Sequence, residues 1–310
     1  MNKKKCPKCG SIKTKRNGIR EGVQLYKCLD CNRQFRRGSI LDPIEIWDAY
    51  QNGKQTIQEL AEQYMVSASS IKRRLRFIEH VWYQPDLTGM SGFIHLDATY
   101  WGHNWGTMLA IDDETGLPLY LAFIRNETTQ DYRTAVDSIE AAGYWIRGII
   151  IDGKQTLFKE FENYPIQMCQ FHMMQIVKRY LTKNPKMNAS KDLMALFECM
   201  YELDQEDFWN EYELWKKQYD TFLNKRTTHK NGRTFYLHRR VRTLVNSIDF
   251  YRPYLFTYQR PECDGMPNTN NKIEGTFTDL KKNLNNHSGM SIQNRTRFIS
   301  GYFLNRIIGI

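Results

Sequence analysis

Two short apolar runs in the middle of the chain each end on an aspartate, and the rest is organised around them. Phe93-Ile94-His95-Leu96-Asp97-Ala98-Thr99 and Gly148-Ile149-Ile150-Ile151-Asp152-Gly153 read as buried strands whose carboxylates sit where the strand reaches solvent. A third stretch, Thr269-Asn270-Asn271-Lys272-Ile273-Glu274-Gly275, places Glu274 on a helix. Three carboxylates gathered from two strands and a helix are hard oxygen donors, suited to holding divalent metal against a phosphodiester. Taken singly, each has an ordinary explanation as a turn, cap or surface residue; the combination is what carries weight. Asp112, Asp113 and Glu114 are poorer candidates, because a D-D-E-T-G run is turn chemistry.

At 310 residues the chain can bury a large core and form two or three domains. Its net charge of +10 is unevenly placed: residues 1–40 hold twelve Lys/Arg against Glu21 and Asp30, and the remainder balances at 32 basic and 32 acidic residues. A basic arm on a neutral body expects a polyanion, nucleic acid before an acidic membrane surface, since no long amphipathic basic helix accompanies the charge. No apolar run approaches a membrane span, and Met1 to Cys6 leads into no signal-peptide core, so a protein made and kept in a reducing cytosol is expected. Seven cysteines in that compartment argue against a disulfide framework.

Cys6-Pro7-Lys8-Cys9 and Cys28-Leu29-Asp30-Cys31, 18 residues apart, have zinc-ribbon spacing, with Val23–Tyr26 as a strand and Asn17-Gly18 as a turn. So few residues cannot fold on apolar burial alone, so a structural Zn²⁺ is expected on the four thiolates. Asp42-Pro43 starts a helix, Thr56-Ile57-Gln58-Glu59 is a capping box for a second, and Ser67 or Ser69 caps a third. That third helix carries Lys72, Arg73, Arg74 and Arg76, the pattern of a helix-turn-helix with a recognition helix for the major groove. A solvated basic face on a plain helical hairpin is the rival reading.

From Phe93 the pattern is three antiparallel strands, then strands alternating with helices, which implies a mixed sheet of ribonuclease H-like order. In that order the first and fourth strands are neighbours, which brings Asp97 and Asp152 together. Residues 185–263 read as an all-α insertion with an aromatic core stripe from Phe208 to Phe222. Lys225, Arg226, Arg239, Arg240 and Arg242 fall in an acid-free stretch there, a second candidate surface for phosphate. On the last helix Glu274 edges the stripe Ile273, Phe277, Leu280, Leu284, and Gly275 is expected to allow close approach. The expected architecture is thus multidomain α+β. It has a zinc ribbon (1–38), a helix-turn-helix domain (39–84), a ribonuclease H-like catalytic domain (88–184 and 264–310) and the insertion (185–263).

Taken together, H-L-D-A-T-Y at Asp97, I-D-G at Asp152, Cys169-Gln170-Phe171-His172 and T-N-N-K-I-E-G at Glu274 resemble a DDE transposase of a bacterial insertion sequence. The Mutator-like superfamily is the nearest in pattern. The resemblance implies that Asp97, Asp152 and Glu274 are catalytic and bind two Mg²⁺ or Mn²⁺. It also implies that the substrate is double-stranded DNA, with terminal inverted repeats cut by hydrolysis and the 3′-hydroxyl transferred to target DNA by a homodimer or larger assembly. Cys169 and His172 match a Cys-x-x-His signature, whose role stays open between positioning, DNA contact, metal binding and plain packing. Asn271 is a candidate to hold a metal-bound water or phosphate. The chain is short for this family, so its insertion is compact. Two other readings use the same features: a transposase-derived DNA-binding regulator without catalysis, and a structure-specific nuclease of the same fold.

Overall fold

The computed structural model describes residues 4–20, 22–36, 41–229, 231–287 and 289–308. They fall into two compact units, Met1–Trp82 with Asp279–Asn305, and Tyr83–Thr278 with Arg306–Ile310. The expected boundary at residues 38 and 39 lies outside the described residues.

The first unit begins with a small antiparallel sheet of β1 (Thr14–Arg20), β2 (Val23–Cys28) and β3 (Gln34–Phe35). Asn17-Gly18 is not the hairpin turn. The register slips between Arg16 and Ile19, and Gly18 takes φ +81°, so the pair forms an irregularity inside β1 while the chain reverses near Gly22 (φ +75°). Three helices follow, α1 (Pro43–Gln51), α2 (Ile57–Gln63) and α3 (Ala68–Leu75). Their starts are local chemistry. Asp42 accepts from the Ile44 N–H at 2.9 Å, Thr56 and Glu59 close the capping box, and Ser67 caps α3.

The second unit is built on β4 (Ser91–Gly102), β5 (Trp105–Asp112), β6 (Pro118–Ile124), α4 (Thr129–Ala141), β7 (Trp145–Ile151), α5 (Gln155–Glu160) and β8 (Ile166–Met168). The sheet order is β6-β5-β4-β7-β8, antiparallel across β6, β5 and β4 and parallel from β4 through β7 to β8. Ile94, Leu96, Ile149 and Ile151 are buried in its main core, and α4 packs there through Tyr132, Ala135, Val136 and Ile139, one face of a 3.6-residue repeat. The helix stops at Gly143 (φ +92°), where an added Cβ would lie 2.8 Å from the Thr88 hydroxyl oxygen and 2.9 Å from its Cα. Three antiparallel strands followed by two parallel ones, with β4 and β7 as neighbours, is the mixed sheet order expected from the sequence.

Helices α6 (Gln170–Leu181), α7 (Asn188–Glu198), α8 (Gln205–Gln218) and α9 (Asp220–Asn224) come next, then strands β9 (Arg226–Thr228) and β10 (Thr234–Tyr236) and helix α10 (Arg239–Tyr251). Phe208, Trp209, Tyr212 and Trp215 are buried against the core, so the aromatic stripe is packing. The insertion is not all helix. Thr227 pairs with Phe235 in a two-stranded hairpin, where β-branched and aromatic residues flank Gly232 (φ +79°) at the turn.

Helix α11 (Asn271–Asn285) buries Ile273, Phe277, Leu280 and Leu284, and α12 (Ile292–Ile308) follows it. Open space surrounds Gly275, so it serves no close approach. The expected assignment of residues 264–310 to the sheet domain also needs correction, because residues 279–305 belong with the first unit. The reason is side-chain pairing. Gln51 donates to the Phe298 carbonyl at 2.6 Å, Asn305 donates to Gln51 at 2.9 Å, and Phe298 meets Tyr50 edge-on at 5.8 Å. Among the described residues no helix is long and apolar enough to cross a membrane.

Candidate active site

Strands β4 and β7 run parallel with His95 opposite Ile150, so two residues further on Asp97 stands beside Asp152, just past the end of β7. Neighbouring strands are about 4.8 Å apart, which fixes the two carboxylates as near neighbours. The main-chain N–H of Ala98 donates to Asp97 at 2.7 Å. Burial and then repulsion from Asp152, with smaller contributions from Glu127 and Glu274, nevertheless push the Asp97 carboxyl up to about 7. Burial likewise raises Asp152. The Lys154 N–H, at 3.1 Å, and the nearby His172 pull it back, while Glu127 adds to the rise.

Glu274 reaches the same place from the first turn of α11. Its Oε1 is buried without a hydrogen-bond partner, 3.5 Å from His172 Nδ1. Cys169, immediately before α6, and His172 within it offer ligand atoms within 4.8 Å of each other and of Glu274. Burial raises the Cys169 thiol to about 11, and its sulfur accepts the Asn270 N–H at 3.2 Å. Asp97 thus feels repulsion from both Asp152 and Glu274, whereas the side chains whose ligand atoms lie within 4.8 Å of one another are Cys169, His172 and Glu274. The carboxylates Asp97, Asp152 and Glu274 are hard oxygen donors of the kind a divalent cation takes, and such a cation would offset the repulsion at Asp97.

Three residues missed by sequence reasoning belong to this centre. Glu127 bonds Lys154 at 3.0 Å, accepts from Tyr132 at 3.0 Å, and shares with Asp152 and His172 a cleft of about 760 Å³. It precedes the capping box of α4, so in sequence it resembled loop. His95 is fully buried; its Nε2 lies 2.8 Å from an Asp113 carboxylate oxygen and its Nδ1 2.7 Å from the Asn270 amide oxygen. Strand alternation, which puts His95 on the same face as Asp97, was the available signal. Asn270 rather than Asn271 enters the interior: Asn270 is fully buried, and Asn271 is exposed.

The four N-terminal cysteines converge, with Cys6 and Cys31 sulfurs 3.5 Å apart and Cys9 and Cys28 sulfurs 3.6 Å apart. Each knuckle ends in a left-handed residue, Gly10 (φ +72°) or Asn32 (φ +58°), and the Lys8 N–H donates to the Cys6 sulfur at 3.4 Å. Main-chain N–H groups of Cys31 and Asp30 draw the Cys28 thiol down to about 7. Four thiols so held could take one zinc ion.

The basic candidates divide. Lys72, Arg73 and Arg76 are exposed on or just past α3, but Arg74 is only 9% exposed and donates to the Pro7 carbonyl at 2.7 Å, bracing the first knuckle. Lys225, Arg226, Arg239 and Arg240 are exposed and Arg242 is half-buried. Arg226 and Arg242 lie over the Tyr236 ring, and Arg240 donates to the Arg179 carbonyl at 2.7 Å.

No family model and no curated protein matches the chain. Among solved structures, it is similar to the HTLV-2 integrase catalytic core domain in complex with magnesium. The dimeric form aligns at 18% identity, covering 51% of this chain and 99% of that one, with a TM-score of 0.21. The trimeric form aligns at 17%, covering 50% and 96%, also with a TM-score of 0.21. The Drosophila P element transposase strand transfer complex aligns at 11%, covering 87% of each chain, with a TM-score of 0.37. Likeness at that level carries no argument. Strand order and the carboxylates have to carry the functional reading themselves.

Proposed function

We propose that this chain is a metal-dependent DNA transposase of the DDE type, with Asp97, Asp152 and Glu274 as its catalytic carboxylates. The observation that carries the reading is the parallel register of β4 and β7, which sets Asp97 beside Asp152 within electrostatic reach of Glu274. Two Mg²⁺ or Mn²⁺ ions held there would supply Lewis-acid activation of water and of the scissile phosphodiester. The chain's own residues orient that centre. His95 and Asn270 tie β4 to the start of α11, and Lys272 donates to the carbonyls of Asp113 and Glu114, which fixes the turn carrying Glu274. Glu127 holds Lys154 beside Asp152.

The N-terminal unit would grip the DNA, with the zinc-held knuckles bracing α3 and the α2–α3 pair acting as a helix-turn-helix. Lys225, Arg226, Arg239, Arg240 and Arg242 would contact phosphate on the insertion, and the active form would be a dimer or larger assembly on paired DNA ends. A bacterial insertion sequence of Mutator-like type remains the family that the motifs favour.

The test uses the purified chain, a duplex carrying the inverted repeats that flank its gene, and a target plasmid. Mg²⁺-dependent nicking with strand transfer, abolished by Asp97→Ala, supports the reading. Nicking without joining would make the chain a nuclease, and tight metal-independent binding without cleavage would make it a regulator.

A further inference from the structure

Apart from the carboxylate centre, the N-terminal unit contains a second built site. A cavity of about 610 Å³ is lined by Lys72, Arg76 and Arg297 and by no carboxylate. Lys72 and Arg76 are four residues apart on one face, and neither makes an ion pair among the described residues. Arg297 has only a 3.6 Å contact with Glu79, which is 73% exposed. Ser291 and Asn294 line the same cavity at the start of the 17-residue α12, where Ser291 Oγ accepts the Asn294 N–H at 3.3 Å. A helix N-terminus concentrates positive potential there.

The independent observation is His287. It lines the cavity, is 6% exposed, and its Nε2 has no hydrogen-bond partner. The ring is fixed by a tilted contact with the Tyr50 ring at 4.0 Å and by its bond to the Tyr50 carbonyl. A buried polar atom without a partner is costly unless something enters to meet it. Burial lowers the imidazole's pKa, the Tyr50 carbonyl and the nearby Glu59 carboxylate partly oppose that, and an anion alongside raises it further, so that Nε2 can become a donor as the anion arrives.

We propose that this cavity is a phosphate site that takes one backbone phosphate of duplex DNA. Three cations, a helix start and convergent neutral donors suit a tetrahedral anion with several charged oxygens. The choice of DNA as its source rests on reading this unit as the DNA-gripping one; the anion chemistry does not depend on it.

The full chain with zinc bound, labelled with ¹⁵N-histidine, is titrated first with inorganic phosphate and then with a short duplex of mixed sequence. The His287 Nε2 resonance, assigned with His287→Phe, should move in both titrations. His287→Phe and Arg297→Met should each weaken duplex binding about three- to tenfold and lower the salt slope by about 0.9, one phosphate's worth. The resonance is read on the unaltered protein, so the test stands even if a variant folds poorly. A resonance unmoved by phosphate overturns the site. Movement with phosphate alongside unchanged duplex affinity and salt slope overturns the DNA assignment. Asp97→Ala should bind the duplex at full strength, which separates this proposal from the catalytic one.

Discussion

His95 and Asn270, 175 residues apart in sequence, meet in the interior with imidazole Nδ1 2.7 Å from the amide oxygen position. The pair fastens the strand that carries Asp97 to the residue just ahead of the helix that carries Glu274. Removing a group that orients a metal ligand typically lowers affinity or activity about 10–100-fold. His95→Phe and Asn270→Ala should therefore cut strand cleavage by about that factor while leaving duplex binding intact. Mg²⁺ titration of the residual activity should show a raised requirement for metal. Unchanged activity in both variants would mean that the contact is packing only.

Asp97 predicts a pH dependence with a definite sign. Its carboxyl is raised to about 7 from an ordinary 3.8, so the folded chain holds this proton more tightly than the unfolded chain does. The stability this gives is present in acid and declines as pH climbs from about 4 to about 7, by a few kcal/mol at most. In chelator, the melting temperature should fall over that range. Mg²⁺ at pH about 8 should restore it, and Asp97→Asn should flatten the curve. A wild-type curve already flat in chelator would sink the assignment of a strained carboxylate cluster.

Glu127 should behave as part of the same charge system. Glu127→Gln removes repulsion from both Asp97 and Asp152 and releases Lys154. The expected result is a shallower pH slope in chelator together with slower cleavage. A slope equal to that of wild type would place Glu127 outside the centre.

For the cysteine cluster, about one zinc per chain is expected, and structural zinc in such modules contributes about 10–16 kcal/mol. Stripping it, or Cys28→Ser, should collapse hydrogen-exchange protection across residues 4–36 and weaken DNA binding. Protection in β4, β5 and β7 should persist, because those strands bury their own core. Loss of protection in both places would show that the metal supports more than its own module.

Gly143→Ala tests a backbone constraint. The position combines φ +92° with Thr88 atoms 2.8 and 2.9 Å from an added Cβ. Strain of this kind costs on the order of 1–3 kcal/mol. The thermal midpoint of the second unit should drop, as followed by exchange at Ile139 and Ile149.

Much of this was legible in sequence because its signals are local. Asp42-Pro43, the Thr56/Glu59 capping box and the Ser67 cap all start helices where expected, since each acts within four residues. The order of three antiparallel strands followed by strands alternating with helices was enough to anticipate that β4 and β7 would be neighbours. What escaped depends on partners distant in the chain. Asn17-Gly18 looks like a turn until β2 sets the register. Arg74 looks like its basic neighbours until Pro7 is beside it. Glu127 and Asn270 have no meaning until β4, α4 and α11 surround them, and the Thr-rich hairpin at 226–236 was hidden by its helical flanks.

The pairing of Gln51 with Phe298 and Asn305 has a consequence for synthesis. Gln51 and Phe298 are 247 residues apart, so translation delivers α1 to α3 long before the residues that shelter Trp47 and Tyr50. A nascent chain that has reached only α10 therefore exposes these aromatic surfaces, and the first unit cannot close around them until α12 has followed.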